Sequence, residues 1–404
     1  MQLSLFDGSQ QFKIDKPIRL VELFAGIGSQ AKALKNLGAD FEHYRICEFD
    51  KYAVQSYNAV HGTDFATSDI TKITADDLGV VDTDKYCYIM TYSFPCQDLS
   101  NAGLGKGMAK GSGTRSGLLW EVERLLDECE ELPQVLVMEN VPAVIGAKNI
   151  QHFAKWQEKL ESLGYKNKWE VLNAKDYGIP QNRERCFMVS LLGDYYYSFP
   201  QGKKLELRLK DMLEKEVDEK YYLDEIPLKK ELCDTLLKNN LVKEGDIIRH
   251  SYTNNRLNND INNLSRIESQ EQLSPTLDTR CDTLGIVVAK DIKPCVRENF
   301  IRDKDKIAKS DKDIFVCDCS SGFNDNKVGI KLSPTIRAGN SHTAIYSNLV
   351  IRKLTPKETW RLMGFSDTDV DNAIAVGMSN AQLYKQAGNS ICVPVLEAIF
   401  KQML

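Results

Sequence analysis

Between Ile18 and Leu192, short apolar runs alternate with amphipathic segments, and this alternation restricts the fold more than any other feature of the chain. IRLVELF (18–24) reads as a buried strand, followed by the turn AGIGS and a helix, QAKALKNLG. HYRICEF (43–49) reads as a second strand, and DKYAVQSYNAVHG as a second helix with Asp50 as its N-cap and Gly62 as its stop. YCYIMTYS (86–93), QVLVMEN (134–140) and RCFMVSLL (185–192) are further strands, and GLLWEVERLLDECEEL (117–132) is an amphipathic helix. Strands interleaved with helices in this way predict an α/β protein with a doubly wound, mostly parallel sheet and ligands at the carboxyl ends of its strands.

The pattern decays after Pro200. Residues 201–232 form a charged stretch read as helical, and HSYTNNRLNNDINN (250–263) reads as loop. The remainder up to Ser347 offers short strands with turn signals. LSPTLDTRCDTLGIV (273–287) and LSPTIRAGNSHTAIY (332–346) repeat L-S-P-T, through duplication or a shared turn. GNSICVPVLEAIFKQML closes the chain with an amphipathic helix.

With 27% charged and 42% hydrophobic residues, the composition is that of a globular protein, not a disordered one. The start MQLSLFDGSQ is polar and acidic, and no apolar run reaches the roughly 18 residues of a membrane span, so a cytoplasmic chain with reduced thiols is expected. Cys317 and Cys319 form a lone C-x-C without a second ligand pair, and the five histidines are scattered, so no metal is expected. The net charge of −5 argues mildly against a nucleic-acid partner.

The residue types able to carry chemistry collect at the strand ends. Phe24-Ala25-Gly26-Ile27-Gly28 joins the first strand to the first helix, where glycines let a ligand approach the backbone. Its G-x-G falls short of a dinucleotide fingerprint, which disfavours a nicotinamide oxidoreductase. Glu48 ends the second strand, about 20 residues on, where a carboxylate accepts ribose hydroxyls. Phe49 beside it offers a ring for stacking, and Ser68-Asp69-Ile70 reads as a third strand end with an acceptor for an exocyclic amine. Together they describe a nucleoside-containing cofactor. Cys96, in Ser93-Phe94-Pro95-Cys96-Gln97, follows a strand and opens the Gly- and Ser-rich stretch 101–117, which holds Lys106, Lys110 and Arg115 and no acid. That is the profile of a mobile loop closing on an anionic substrate, with cations favouring the thiolate. Glu139 in Met138-Glu139-Asn140-Val141-Pro142 sets a carboxylate at another strand end, suited to holding a proton. In Gln181-Asn182-Arg183-Glu184-Arg185 the alternating arginines point to one face of a strand.

FAGIG, PCQ, MENV, QNRER and GNS, in this order, together with RKLTPKETWRLMGF (352–365), resemble the sequence blocks of DNA cytosine-5 methyltransferases of the bacterial and phage restriction-modification type. The resemblance covers 18–192 and 352–404, and TYSFPCQDLS with the loop after it is similar to a subgroup some of whose members methylate CG-containing sites. It implies the Rossmann-like fold of S-adenosylmethionine-dependent methyltransferases, with S-adenosyl-L-methionine as cofactor and duplex DNA as substrate. Cys96 is then the nucleophile that adds to cytosine C6, Glu139 contacts N3 and the exocyclic amine, Arg185 holds O2, and Arg183 supports the site and a nearby phosphate. Phe24, Ala25, Gly26, Gly28, Glu48, Phe49, Asp69, Ile70, Pro95, Asn389 and Ser390 fall on cofactor-contact positions, with Phe49 where the family often has Trp. Gln97, Ser100, Lys106, Lys110 and Arg115 are candidates for DNA contact.

The domain plan implied is a tail (1–17), a catalytic and cofactor-binding domain (18–195), a smaller, irregular, strand-rich target-recognition domain (196–350), a hinge (351–384) and a helix returning to the first domain (385–404). Thr335-Ile336 with Gly339 fits the family's target-reading pair by distance to Arg352, and Thr276-Leu277 is an earlier copy. Arg280 and Arg337 are the candidates for guanine contact. Gln2-Leu3-Ser4-Leu5-Phe6 resembles the peptide with which bacterial proteins dock on the sliding clamp, an ordinary apolar tail being the alternative. A monomer near the nucleoid is expected. A tRNA methyltransferase, from a branch using the same blocks, and a catalytically silent DNA-binding protein are the other readings; a middle region of about 150 residues disfavours the first, and the presence of Cys96, Glu139 and Arg185 the second. By region the charge is −6 over 1–195, zero over 196–350 and +1 over 351–404, so DNA contacts are expected from the acid-free loop and the middle domain, with a moderate salt dependence.

Overall fold

The alternation read from the sequence produces a six-stranded sheet. A computed structural model describes residues 10–99, 107–221 and 353–404, with the backbone alone of 247–248, 251–252, 274–275, 285–289, 320–321 and 349–352. The chain divides into two compact units, Met1–Asn173 with Glu184–Lys203 and Ile391–Leu404, and Ala174–Arg183 with Lys204–Ser390.

The first unit holds strands β1 (Ile18–Leu23), β2 (Phe41–Cys47), β3 (Cys87–Tyr92), β4 (Val135–Asn140), β5 (Tyr165–Asn173) and β6 (Glu184–Leu192) in the order β2-β1-β3-β4-β6-β5. The first four in that order are parallel, and β6 runs antiparallel to both β4 and β5. The carboxyl ends of β1 to β4 and the start of β6 therefore share one edge. The described α-helices longer than four residues are α1 (Ser29–Asn36), α2 (Lys51–His61), α3 (Leu119–Glu128), α4 (Ile150–Ser162) and α8 (Val393–Phe400) in the first unit and α5 (Pro356–Arg361), α6 (Asp367–Ala375) and α7 (Asn380–Asn389) in the second.

Strand alternation explains the layers. Val21 and Leu23 face one side with Met90, Tyr92, Leu136 and Met138, where α3 and α4 cover them with Val122, Leu125, Phe153, Trp156 and Leu160. Each large side chain fully buried there contributes about 1.5–3 kcal/mol relative to exposure. The Trp156 indole N–H donates to the Tyr92 hydroxyl at 3.0 Å, so the ring is buried without an orphaned donor. Glu22, between Val21 and Leu23, faces the other side, where α1 and α2 lie. Helix α8 packs on α1, and Asn36 donates to Glu397 at 2.7 Å.

Helix α2 begins and ends where the sequence indicates: Asp50 accepts from the Tyr52 N–H at 2.9 Å, and Gly62 adopts a left-handed φ of 72°. Two of the labelled elements of the first unit, and α5, α6 and α7 of the second, were not read from the sequence. Strand β5, YKNKWEVLN, exposes residues 168–171 and so lacks an apolar run, as an edge strand does. Helix α4 buries Phe153, Trp156 and Leu160 at helical spacing. Two readings are corrected. No strand ends at Ser68-Asp69-Ile70, which is a loop tied to the end of β2 by the Ser68 N–H donating to the Glu48 carbonyl at 2.9 Å. The charged stretch is not a helix over its described part, 201–221, where only the short turns Leu209–Met212 and Glu219–Tyr221 form. Its backbone is committed elsewhere: the Met212 carbonyl accepts from Arg361 and the Glu214 N–H donates to Glu358.

In the second unit, Gly285–Ala289 pairs antiparallel with Ile247–Ile248 on one side and Leu349–Lys353 on the other, and Gln181–Asn182 pairs with Ser274–Pro275. Most of the first L-S-P-T copy and all of the second lie outside the described residues. Among the described residues, no helix is long and apolar enough to cross a membrane, and no cluster of potential metal ligands occurs.

Candidate active site

Cys96 sits four residues beyond β3, on a turn held from several directions. The buried Asn140, last residue of β4, donates from Nδ2 to the Phe94 carbonyl at 2.9 Å, while its Oδ1 accepts from the Val141 N–H at 2.8 Å. Ser116 donates its hydroxyl to the Pro95 carbonyl at 2.6 Å. Asp98 accepts from the Arg115 N–H at 2.9 Å, and the Leu99 N–H closes back on the Cys96 carbonyl at 3.0 Å. Cys96 itself is partly exposed. Burial pushes the Cys47 and Cys129 thiols up to about 11 and those of Cys87 and Cys186 up to about 12, so these four stay protonated at neutral pH. A buried neutral thiol is inert, whereas a partly exposed one at a strand end can act as a nucleophile.

Glu139, 9% exposed, is the penultimate residue of β4, and Arg185 is the second residue of the antiparallel β6. Arg185 Nε lies 3.1 Å from Glu139 Oε1, and Arg185 also donates to the Glu184 carbonyl at 2.7 Å. A shielded carboxylate and a fixed guanidinium at one sheet edge can recognise a polar ring and stabilise charge that develops on it. Arg183 does not share this arrangement. Strand β6 starts at Glu184, so strand alternation does not reach Arg183, and its guanidinium is 3% exposed. It donates to the carbonyls of Gly388 at 3.0 Å and Ser390 at 2.7 Å, which replaces the expected phosphate contact.

A second group of residues surrounds the turn after β1. Phe24 (φ 59°) and Gly26 (φ 56°) are both left-handed. Phe24 and Ala25 donate their N–H groups to the Cys47 carbonyl at 2.7 and 3.2 Å, and Gly26 N–H donates to Glu48 Oε2 at 2.9 Å. Glu48 Oε1 accepts from the Asp50 N–H at 2.8 Å, so each oxygen keeps lone-pair capacity for a hydroxyl. Burial raises the Glu48 carboxyl above its ordinary range against the pull of those two amides. Phe49 is 79% exposed, an uncovered ring beside an acceptor. Asp69 accepts from the Thr71 N–H and hydroxyl at 3.0 and 2.8 Å, which hold it below the usual carboxylate range; the Ile70 side chain after it is buried. In the second unit α7 ends at Asn389, which is exposed, followed by the buried Ser390.

The two glycines of the turn serve different ends. A Cβ on Gly26 would meet nothing within 4 Å, so open space lies where a ligand has to approach the backbone. A Cβ on Gly28 (φ 78°) would run into the His61 ring and reach 2.6 Å from Tyr57 Cε2, so Gly28 is required by packing. Strained backbone and overpacking each cost about 1–3 kcal/mol, and Gly28→Ala is expected to lose about 2–5 kcal/mol in urea unfolding. Gly26→Ala is expected to lose less, carrying only the backbone strain. Open space at Gly26, an acceptor at Glu48, a ring at Phe49 and an acceptor at Asp69 fit a nucleoside-type cofactor.

Of the residues proposed for DNA, Lys110 pairs with Glu123 at 2.7 Å and lies 5.6 Å from the centre of the Trp120 ring, and Arg115 donates to Gln97 at 3.3 Å. Ser100, Lys106, Arg280, Arg337, both Thr–aliphatic pairs and the Gln2–Phe6 peptide lie outside the described residues.

The profile of the C-5 cytosine-specific DNA methylases matches residues 18–404. The chain belongs to this family. The methylase is 32% identical to the type II methyltransferase M2.ScrFI of Lactococcus lactis subsp. cremoris, with 96% of this chain and 99% of that protein covered. It is 29% identical to the orphan methyltransferase M.SPBetaI of Bacillus phage SPbeta, covering 96% and 97%. Among solved structures it resembles the Entamoeba histolytica methyltransferase EhMeth, with a TM-score of 0.60 at 16% identity over 96% of this chain and 98% of that one. The S. pombe Dnmt2 methyltransferase gives 0.56 at 17% identity over 95% and 97%. At such identities these structures speak for the shared fold. The sequence reading of the methylase gave no role to Asn140, Asp98 or Ser116, which hold the Cys96 turn. A signal was present for Asn140, since a second polar residue after Glu139 at the end of an apolar run has to find a buried partner.

Proposed function

We propose that this DNA cytosine-5 methyltransferase acts on a cytosine flipped out of duplex DNA, takes its methyl group from S-adenosyl-L-methionine, and works through a covalent bond between Cys96 Sγ and cytosine C6. The observation that carries the reading is the Glu139–Arg185 pair at the sheet edge, beside the strand end that Asn140 ties to the Cys96 turn. C5 of cytosine is a poor nucleophile until C6 carries an added group. The Cys96 thiolate adds to C6, and the electron pair displaced from the C5–C6 bond makes C5 enamine-like. Glu139 holds a proton at N3, and Arg185 faces O2, so charge leaving C6 is neutralised as it develops. When bound, S-adenosylmethionine supplies the methyl group as an electrophile. Gly26, by the open space at its backbone, Glu48 at the ribose, Phe49 at the adenine face and Asp69 at the amine would hold it, with Asn389 and Ser390 as further contacts. Loss of the C5 proton then expels Cys96. Flipping the base costs a few kcal/mol, which contacts of the protein with the DNA would offset.

In the same reading, 18–195 carries catalysis and cofactor, 196–350 reads the target sequence, 351–384 is a hinge and 385–404 returns to the first domain. The chain works as a monomer at the nucleoid, and Gln2–Phe6 docks on the sliding clamp. Incubation of the purified chain with methyl-labelled cofactor and duplex DNA should yield 5-methylcytosine on nucleoside analysis. Label appearing in tRNA and not in duplex DNA would overturn the substrate assignment. Glu139→Gln should lower kcat by about 10²–10⁴ with DNA affinity retained, the usual worth of a positioned acid. An unchanged kcat removes the proton role.

A further inference from the structure

Beneath the Ala25–Gly28 turn lies a group of ionisable side chains to which the mechanism gives no task. Glu22, fully buried, accepts from the Tyr57 hydroxyl at 2.5 Å and from the Ala31 N–H, in the first turn of α1, at 3.3 Å. Tyr57 Oη also lies 3.0 Å from His43 Nδ1. When Tyr57 gives its only proton to Glu22, His43 Nδ1 has to be the donor on that side. The His61 ring packs at 4.5 Å from the Tyr57 ring and 5.1 Å from the His43 ring, and its Nε2 lies 3.0 Å from the Ile27 carbonyl. A carbonyl only accepts, so Nε2 carries the proton and donates.

These contacts close a circuit. Gly26 N–H donates to Glu48, Glu48 also accepts from the Asp50 N–H, Asp50 caps α2, and the last residue of α2, His61, returns to Ile27, next to Gly26. Helix α2 thereby ties the loop that carries Glu48 and Phe49 to the turn that carries Phe24 and Gly26. With the His61 link removed, the hydrogen bonds from Gly26 to Glu48 and from Phe24 and Ala25 to the Cys47 carbonyl remain. The ring of His61 also fills the volume that excludes any side chain at position 28.

We propose that His61 is a positioning residue for the methyl donor: by donating to the Ile27 carbonyl it fixes the turn in the shape the cofactor meets, so that binding does not have to order it. The proposal rests on the cofactor reading above. A pre-ordered site binds more tightly without changing the chemical step. His61 therefore acts on cofactor affinity and leaves kcat at saturating cofactor alone. Glutamine places an amide donor near the position of Nε2, so His61→Gln keeps the link that His61→Ala loses.

The test measures S-adenosylhomocysteine binding by calorimetry on the full chain, with amide exchange on the cofactor-free protein. His61→Ala should weaken binding about tenfold, the worth of one hydrogen bond, with kcat at saturating cofactor within about twofold of wild type. His61→Gln should return affinity to within about threefold of wild type. Exchange at the Gly28 N–H, which donates to the Ala25 carbonyl at 3.0 Å, should accelerate in His61→Ala and not in His61→Gln. Equal affinity in wild type and His61→Ala, or a loss that His61→Gln does not repair, overturns the positioning role. No binding by the wild-type chain overturns the cofactor reading beneath it.

Discussion

Cys96→Ser is expected to abolish both turnover and the denaturant-stable adduct that the wild-type chain forms, in the presence of cofactor, with duplex DNA carrying 5-fluorocytosine at its target. After methyl transfer the ring is released only when a proton leaves C5, and fluorine at C5 leaves no proton to lose. The Sγ–C6 bond therefore persists and can be seen as a slower band on a denaturing gel. A serine hydroxyl is far less acidic than a thiol, so the substitution should cost about 10³-fold or more in rate and all of the adduct. Five of the six described cysteines provide internal controls. Four of them carry thiols that burial keeps protonated, and Cys392 is buried. Replacing Cys129, the most accessible of the four, should leave the adduct intact. An adduct that survives Cys96→Ser, or none with the wild-type chain, would falsify the covalent route.

What the sequence made legible was local. The buried strands β1, β3 and β4, α2 with its Asp50 cap and Gly62 stop, and the strand-end positions of Cys96 and Glu139 follow from apolar runs and the breaks between them. Edge strand β5 was hidden because its exposed residues erase the apolar run, and with it went the antiparallel setting of β6. That setting is what brings Arg185 to Glu139: the start of β6 lies against the end of β4, with Asn140 opposite Cys186. Spacing in Q-N-R-E-R suggested two arginines on one face, but Arg183 precedes the strand and finds partners more than 200 residues away in the sequence. Long-range partners of this kind leave no trace in local pattern. The same is true of Glu22, whose place in the apolar run LVELF signals a buried carboxylate but does not name Tyr57. Nor does local pattern show that Lys110, in the acid-free stretch 101–117, pairs with Glu123.

Arg183 carries an expected effect on stability as large as that of Gly28. Its guanidinium is 3% exposed and bonds the carbonyls on either side of Asn389, both belonging to buried residues, while Asn389 itself is exposed. Both bonds leave Nη2, which bridges the two carbonyls across the residue between them, and the planar guanidinium holds that nitrogen in place better than a lysine's flexible stem holds its ammonium. Arg183→Met removes the donors and leaves two buried acceptors short of partners, at about 1–3 kcal/mol each. The expected loss in urea unfolding is about 2–5 kcal/mol, and Arg183→Lys should recover part of it. Under the proposed function Asn389 and Ser390 also contact the cofactor, so Arg183→Lys should weaken S-adenosylhomocysteine binding even where the protein remains folded. If Arg183→Met unfolds at the same urea concentration as wild type, the two hydrogen bonds do not hold this segment. If Arg183→Lys is destabilised but binds the cofactor like wild type, the segment is structural and Asn389 takes no part in the cofactor site. A stable Arg183→Lys chain that instead lost DNA binding alone would restore the phosphate contact expected from the sequence.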